Sequence, residues 1–100
     1  METATRETLV ALRGSLNYVQ GRPDALRALS AGHLTAVSIL TQTAETVWRR
    51  NGEGNEIPGM VCATLNSWQY VRDDIFATAN VDLVEALEDI GSILEGFTGG

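Results

Sequence analysis

The chain has 100 residues, of which 44% are hydrophobic and 20% are charged, and its net charge at neutral pH is -6. This balance is typical of a single globular domain and excludes a wholly disordered chain, so we expect residues 1–100 to fold as one domain. The acidic balance disfavours direct nucleic-acid binding, because duplex affinity depends on Lys and Arg neutralising phosphates. One Cys excludes an intramolecular disulfide framework. No apolar run reaches the length of a bilayer span, and we expect a cytoplasmic protein.

The first predicted helix runs from Thr5 to Gln20. Its apolar stripe has the 3, 4, 3 spacing of an amphipathic helix and consists of Leu9, Leu12, Leu16 and Val19. Thr3 or Thr5 is the expected N-cap, and Gly21 is the expected stop. Gly14 inside this helix is interpreted as a site of close approach by a neighbouring helix, because glycine there is otherwise unfavourable.

A short helix and a long one follow. The short helix is predicted from Pro23 to Ala31, because proline is favoured at the first helical position. A helical corner between the neighbouring helices is the alternative for this stretch. The long helix is predicted from Leu34 to Arg50. Its apolar stripe consists of Val37, Leu40, Ala44 and Val47. Asn51 and Gly52 can then adopt a left-handed cap.

The segment 51–59 is predicted to be the one long loop, and a fourth helix is predicted from Pro58 or Gly59 to Ala79. Trp68 and Ile75 are placed on its buried face, together with Val61 and Leu65. In such a helix Asp73 and Asp74 occupy the C-terminal half, where the helix dipole disfavours acids. Two interpretations stay open for this pair: contact with Arg13, Arg49 or Arg50, or use in binding a partner.

The last predicted helix is acidic on one side. Asn80 is its expected N-cap and Gly96 its expected stop. Its apolar stripe consists of Leu83, Leu87, Ile90, Leu94 and Phe97. Four acids fall on the opposite, solvent-facing side, namely Glu85, Glu88, Asp89 and Glu95, while Asp82 lies near the helix start. The expected fold is therefore all-α: a small antiparallel bundle of four main helices and one short one.

Charge is segregated along the chain. Residues 1–72 carry seven Arg against six acids, whereas residues 73–100 carry seven acids and no basic residue. The candidate partner-binding residues are these seven acids: Asp73, Asp74, Asp82, Glu85, Glu88, Asp89 and Glu95. They are interpreted either as a surface for a basic protein partner or as a solvated face that keeps the chain soluble.

The sequence contains no constellation typical of catalysis, a metal site or a cofactor. His33 has no acidic or Cys residue at ligand spacing and is expected to be a surface or capping residue. Cys62 is expected to be a buried small hydrophobe. The large aromatic residues are expected in the core; they are Tyr18, Trp48, Trp68 and Tyr70. We therefore expect no enzyme, no cofactor and no metal, and the acidic polar face disfavours membrane binding.

Three classes of function stay open. The first is a protein that occupies a basic, nucleic-acid-binding surface of its partner. The second is a helical structural or dimerisation module, such as a small regulatory subunit or a homodimer. An enzyme ranks third.

In general character the chain resembles small phage-encoded inhibitors, in particular anti-CRISPR proteins. The shared features are small size, acidity, a lack of motifs, and Arg without Lys, which is typical of a high-GC genome. The resemblance implies a stoichiometric inhibitor that binds a CRISPR effector nucleoprotein complex. It carries over no individual residue, so the candidate surface depends on the charge argument alone.

Overall fold

The structure, a computed structural model, describes residues 2–99, with side chains from residue 6 onward. Over this range the chain forms helices and no strand, which confirms the all-α prediction. The helices are α1 (Glu2–Gln20), α2 (Pro23–Arg27), α3 (Ala31–Arg49), α4 (Ile57–Trp68), α5 (Arg72–Thr78) and α6 (Val81–Glu95). The radius of gyration is 13.0 Å, as expected of a folded chain of this length.

One hydrophobic core is shared by the long helices. Helix α6 packs along α1 and also contacts α3 and α4, while α3 contacts α1 and α4. The apolar stripes predicted for the first and third helices are buried, as are four of the five positions predicted for the last helix. The fifth, Phe97, is partly buried and packs against the core just after α6 ends. The hydrophobic period therefore places the buried faces correctly.

The start of α3 differs from the prediction. Ser30 is its N-cap, and the Ser30 Oγ accepts a hydrogen bond of 3.3 Å from the backbone N–H of His33. Helix α3 therefore begins at Ala31 instead of Leu34, and the short α2 ends at Arg27. Helix α1 begins at Glu2, so the predicted N-cap at Thr3 or Thr5 is wrong because both residues lie inside the helix.

Gly14 does not mark a close helix contact, so that interpretation is wrong. A Cβ atom built on Gly14 would meet nothing within 4 Å, because this position lies on the exposed side of α1. The glycine therefore loosens the helix without permitting any contact.

We expect Gly14→Ala to stabilise the protein by about 0.5–1 kcal/mol, because alanine loses less backbone freedom in a helix. Thermal unfolding should show a rise of several degrees in the midpoint, since about 1 kcal/mol corresponds to about 4–8 °C in a domain of this size. Gly52→Ala is the contrasting control and should destabilise, because its Cβ would overlap the Phe97 ring and its φ is positive. A lower midpoint for Gly14→Ala would contradict this account of α1.

The predicted cap at the end of α3 is confirmed. Asn51 and Gly52 have positive φ values of 55° and 73°. The backbone N–H of Gly52 donates to the carbonyl of Val47 at 2.8 Å, and that of Asn51 donates to the carbonyl of Trp48 at 3.1 Å. This is the Schellman arrangement, in which the left-handed residue lets the chain turn back over the last helical carbonyls.

The fourth predicted helix is two helices, so the prediction of one helix to Ala79 is wrong. Helix α4 ends at Trp68, and α5 begins at Arg72. Between them the backbone tightens: the N–H of Val71 donates to the carbonyl of Trp68, three residues back, at 3.1 Å. Tyr70 lies at this junction and is 80% exposed, so it is not a core residue as predicted. No Gly or Pro marks the break in the sequence.

One buried polar contact joins α3 to α4. The hydroxyl groups of Thr43 and Thr64 are hydrogen-bonded at 2.8 Å, and both residues are buried. A buried hydroxyl that loses its partner pays its full desolvation penalty, whereas removing both hydroxyls is nearly neutral.

We expect Thr43→Val alone to destabilise the protein by about 1–3 kcal/mol, because the Thr64 hydroxyl is left unpaired. The double variant with Thr64→Val should recover most of that loss. Chemical denaturation of the single and double variants measures the coupling between the two sites. Thr35→Val is the control and should change stability by about 0.5 kcal/mol or less, because Thr35 is exposed. Additive effects of the two core substitutions would contradict a coupled pair.

Candidate partner-binding surface

Helix α6 begins as the sequence predicts. The Asn80 side-chain oxygen accepts a hydrogen bond of 2.8 Å from the backbone N–H of Asp82, which fixes the first turn. Asp82 lies in that turn, where its charge favours the positive end of the helix dipole. The helix ends at Glu95, with Gly96 as its C-cap.

The five acids of α6 lie on the side of the helix away from the core. The buried side consists of Leu83, Ala86, Leu87, Ile90, Gly91 and Leu94. All five acids are exposed, and we call them the acidic face: Asp82, Glu85, Glu88, Asp89 and Glu95. Because α6 packs against α1, α3, α4 and α5, the acidic face is held on a fixed backbone.

Two grooves flank the acidic face. On one side Asp82, Glu85 and Asp89 border α1, where Ser15 and Tyr18 complete a groove of about 270 Å³.

On the other side Glu88 and Glu95 border α4 and α5. Trp68 and Arg72 help to line this second groove, which has a volume of about 250 Å³. The five acids are therefore divided between two grooves, and the helical period alone did not predict this division.

The ion pairs of the protein leave the acidic face unneutralised. Four pairs form among the described side chains, namely Arg27–Asp24, Arg49–Glu45, Arg50–Glu56 and Arg72–Asp73. None of them involves an acid of α6. Two other cations are engaged with rings: the Arg13 guanidinium lies 4.8 Å from the Trp48 ring centroid, and that of Arg22 lies 4.3 Å from the Tyr18 ring centroid.

Asp73 and Asp74 are placed differently from the prediction. They lie in the first turn of α5, so the expectation that they occupy the C-terminal half of a helix is wrong. Acids in a first turn are favoured by the dipole. Asp73 also pairs with the neighbouring Arg72 at 3.7 Å, and not with Arg13, Arg49 or Arg50. Both acids are exposed, but their position has a local explanation and no longer points to a partner.

The residues considered for catalysis or metal binding are dispersed. His33 lies in the first turn of α3, as expected of a residue near a helix start. Cys62 is exposed, so its predicted burial is wrong; its Sγ lies 3.8 Å from the Thr98 carbonyl oxygen. In residues 6–99 no group of three or more His, Cys, Asp or Glu is arranged to hold a metal ion. Within the described chain, no helix combines the length and apolar character needed to cross a bilayer.

The predicted burial of the aromatic residues is confirmed only in part. Trp68 is buried, as predicted, and Tyr18 is half-buried against the core. Trp48 is 38% exposed and carries Arg13 on its ring, so its predicted core position is wrong. Pairs of Arg and aromatic residues at short range in space are the signal that the linear sequence did not reveal.

Comparison with known proteins provides no relative in which a similar surface has a known role. No protein-family model matches the chain, and none of the curated proteins or solved structures compared with it matches either.

Proposed function

We propose that this protein binds a basic protein surface through the acidic face of α6, and that it acts as a stoichiometric inhibitor. The partner class is a nucleoprotein complex whose basic surface normally holds nucleic acid, as the resemblance to anti-CRISPR proteins implies. The observation that carries the proposal is that five exposed carboxylates share one anchored helix and form no ion pair with any described residue.

The spacing of the acids makes the free protein less stable than a neutral helix would be. Glu85 has Glu88 three residues on and Asp89 four residues on, and like charges at these spacings are neighbours. Each such pair costs about 0.2–0.5 kcal/mol. A basic partner relieves this repulsion, and complementary potentials also steer the two proteins together.

Competition with nucleic acid follows from the same charges. A protein surface that binds a phosphate backbone presents Lys and Arg. Carboxylates can pair with these side chains in place of the phosphates. Asp73 and Asp74 extend the acidic region of the sequence, but the five acids of the acidic face carry the proposal.

A helical dimerisation or structural module is the second candidate. It is favoured by three exposed apolar residues, namely Val10, Tyr70 and Val81, which are 67%, 80% and 66% exposed. A two-fold dimer through the acidic face is disfavoured, because it would bring like charges together.

The experiment is an affinity capture from a bacterial lysate that contains CRISPR effector complexes, at low and high salt. The matched bait carries Glu85→Lys, Glu88→Lys and Asp89→Lys. The proposal predicts capture of a nucleic-acid-binding complex at low salt, its loss with the variant bait, and its displacement by added target DNA. Recovery of the bait protein alone would favour the dimerisation module.

A further inference from the structure

We propose that the groove between α6 and the α4–α5 pair is the specificity site of the acidic face, and that it takes an extended peptide segment carrying two cationic side chains about 10 Å apart. The inference deepens the proposed function and depends on it. It goes beyond charge attraction, because it assigns one groove, one peptide geometry and one hydrogen-bond donor.

The first observation is an indole donor in the groove. Trp68 is 6% exposed, and its Nε1–H donates no hydrogen bond to any described residue. All fully enclosed side-chain nitrogen and oxygen atoms of the described residues have partners, so this N–H is not fully enclosed. The Nε1 atom lies 3.7 Å from the position of a Cβ on Gly91, which also lines the groove. A nearly buried donor without a partner accommodates an acceptor from a ligand.

The second observation is the position of two carboxylates around this donor. Glu88 and Glu95 line the same groove and are seven residues apart on α6. Seven residues span two helical turns, or about 10.5 Å. Gly91 lies halfway between the two glutamates, so the Trp68 donor lies level with the middle of the pair. The order along the groove is therefore carboxylate, N–H donor, carboxylate.

That order matches a basic peptide. A main-chain carbonyl accepts from Trp68, and one cationic side chain on each side of it reaches Glu88 or Glu95. A polyproline-type segment has three residues per turn, so side chains three residues apart lie on the same side. They are separated by about 9 Å, close to the spacing that the two glutamates present. Arginine suits the site better than lysine, because its planar guanidinium bonds a carboxylate through two donors.

Arg72 also lines the groove but leaves the two glutamates available. Its guanidinium lies 5.5 Å from the Phe76 ring centroid, and its Nε lies 3.7 Å from Asp73. Both contacts of the Arg72 side chain are with residues of its own helix, α5. Neither Glu88 nor Glu95 is within ion-pair distance of Arg72 or of any other described cation.

The test is a titration of the full chain, followed by ¹⁵N–¹H NMR, with a blocked tetrapeptide that has arginine at positions one and four. The chain has two indole N–H signals, and that of Trp48 serves as the internal reference because this residue packs on α1 through Arg13. A Trp48→Phe variant assigns the two signals. We expect a saturable shift of the Trp68 signal alone, and no such shift with the same peptide carrying citrulline in place of arginine.

Two charge-matched variants separate the groove from general attraction. Glu88→Gln with Glu95→Gln should weaken peptide binding about tenfold or more, since the two lost charge-assisted contacts together account for at least that factor. Glu85→Gln with Asp89→Asn removes the same charge on the α1 side and should change binding less than about threefold. Equal weakening by both pairs, or amide shifts on α6 with the Trp68 signal unmoved, overturns the groove and leaves the proposed function standing. No shift of any signal overturns the groove proposal, whereas the proposed function is overturned only if the acidic face also fails in the capture experiment.

Discussion

Replacing Trp68 with alanine is expected to cost about 3–5 kcal/mol of folding free energy. The side chain is buried at the end of α4, and its ring meets Phe76 of α5 edge-to-face, with centroids 6.1 Å apart. It therefore holds the two helices together across the break between them. Such a loss is a large share of the about 5–15 kcal/mol that stabilises a typical domain.

Trp48→Ala is the matched control. It removes the same side chain from a position that is 38% exposed, so it should cost about 1–2 kcal/mol, mostly from lost contact with Arg13. Urea denaturation of the two variants, followed by circular dichroism, compares their free energies of unfolding. Similar losses for the two variants, or a Trp68→Ala protein as stable as the wild type, would be inconsistent with Trp68 as the link between α4 and α5.

The buried faces could be predicted from the sequence because the hydrophobic period reports directly on them. The stripe from Leu9 to Val19 and the stripe of α6 are both buried as expected. Local chemistry was equally informative at Asn80 and at Asn51–Gly52, where the side chain or the backbone of a single residue fixes the helix end.

The break between α4 and α5 could not be predicted, for a physical reason. Trp68 and Ile75 are seven residues apart, so both face the core whether the helix continues or breaks between them. Val71, at the turn, is partly buried and packs against the core, and no helix breaker marks the turn in the sequence. The break also affects the candidate site. Because of it, Asp73 and Asp74 lie at the start of α5 and not in the C-terminal half of one long helix.

The candidate surface was predicted in part. The exposed acids of α6 follow from the helical wheel, but their division between two grooves depends on which helices pack beside α6. The unpaired Trp68 donor next to Gly91 was also beyond sequence reasoning, because residues 68 and 91 meet only in the folded chain.

Reversing three charges of the acidic face should slow association with the partner strongly. The variant carries Glu85→Lys, Glu88→Lys and Asp89→Lys, which together bring the net charge from -6 to zero. Electrostatic steering can raise an association rate by a factor of about 10–1000, so a comparable loss is expected at low salt. The fold should be little affected, because all three residues are exposed and surface changes are usually within about 0.5 kcal/mol.

A second variant controls for net charge. Glu7→Lys, Asp24→Lys and Glu53→Lys change three exposed acids outside α6 and give the same final net charge. If the location of the charge matters, this control associates much faster than the α6 variant. If only the net charge matters, the two variants behave alike.

The association rate of the wild type and of these two variants with the captured partner, measured at low and at high salt, tests the central claim most directly. Screening acts over about 8–10 Å at ordinary ionic strength and shortens to about 3 Å at 1 M salt. The account predicts a fast, salt-sensitive rate for the wild type, a rate reduced at least about tenfold for the α6 variant at low salt, and convergence of the rates at high salt. An α6 variant that associates as fast as the wild type at low salt would contradict the account.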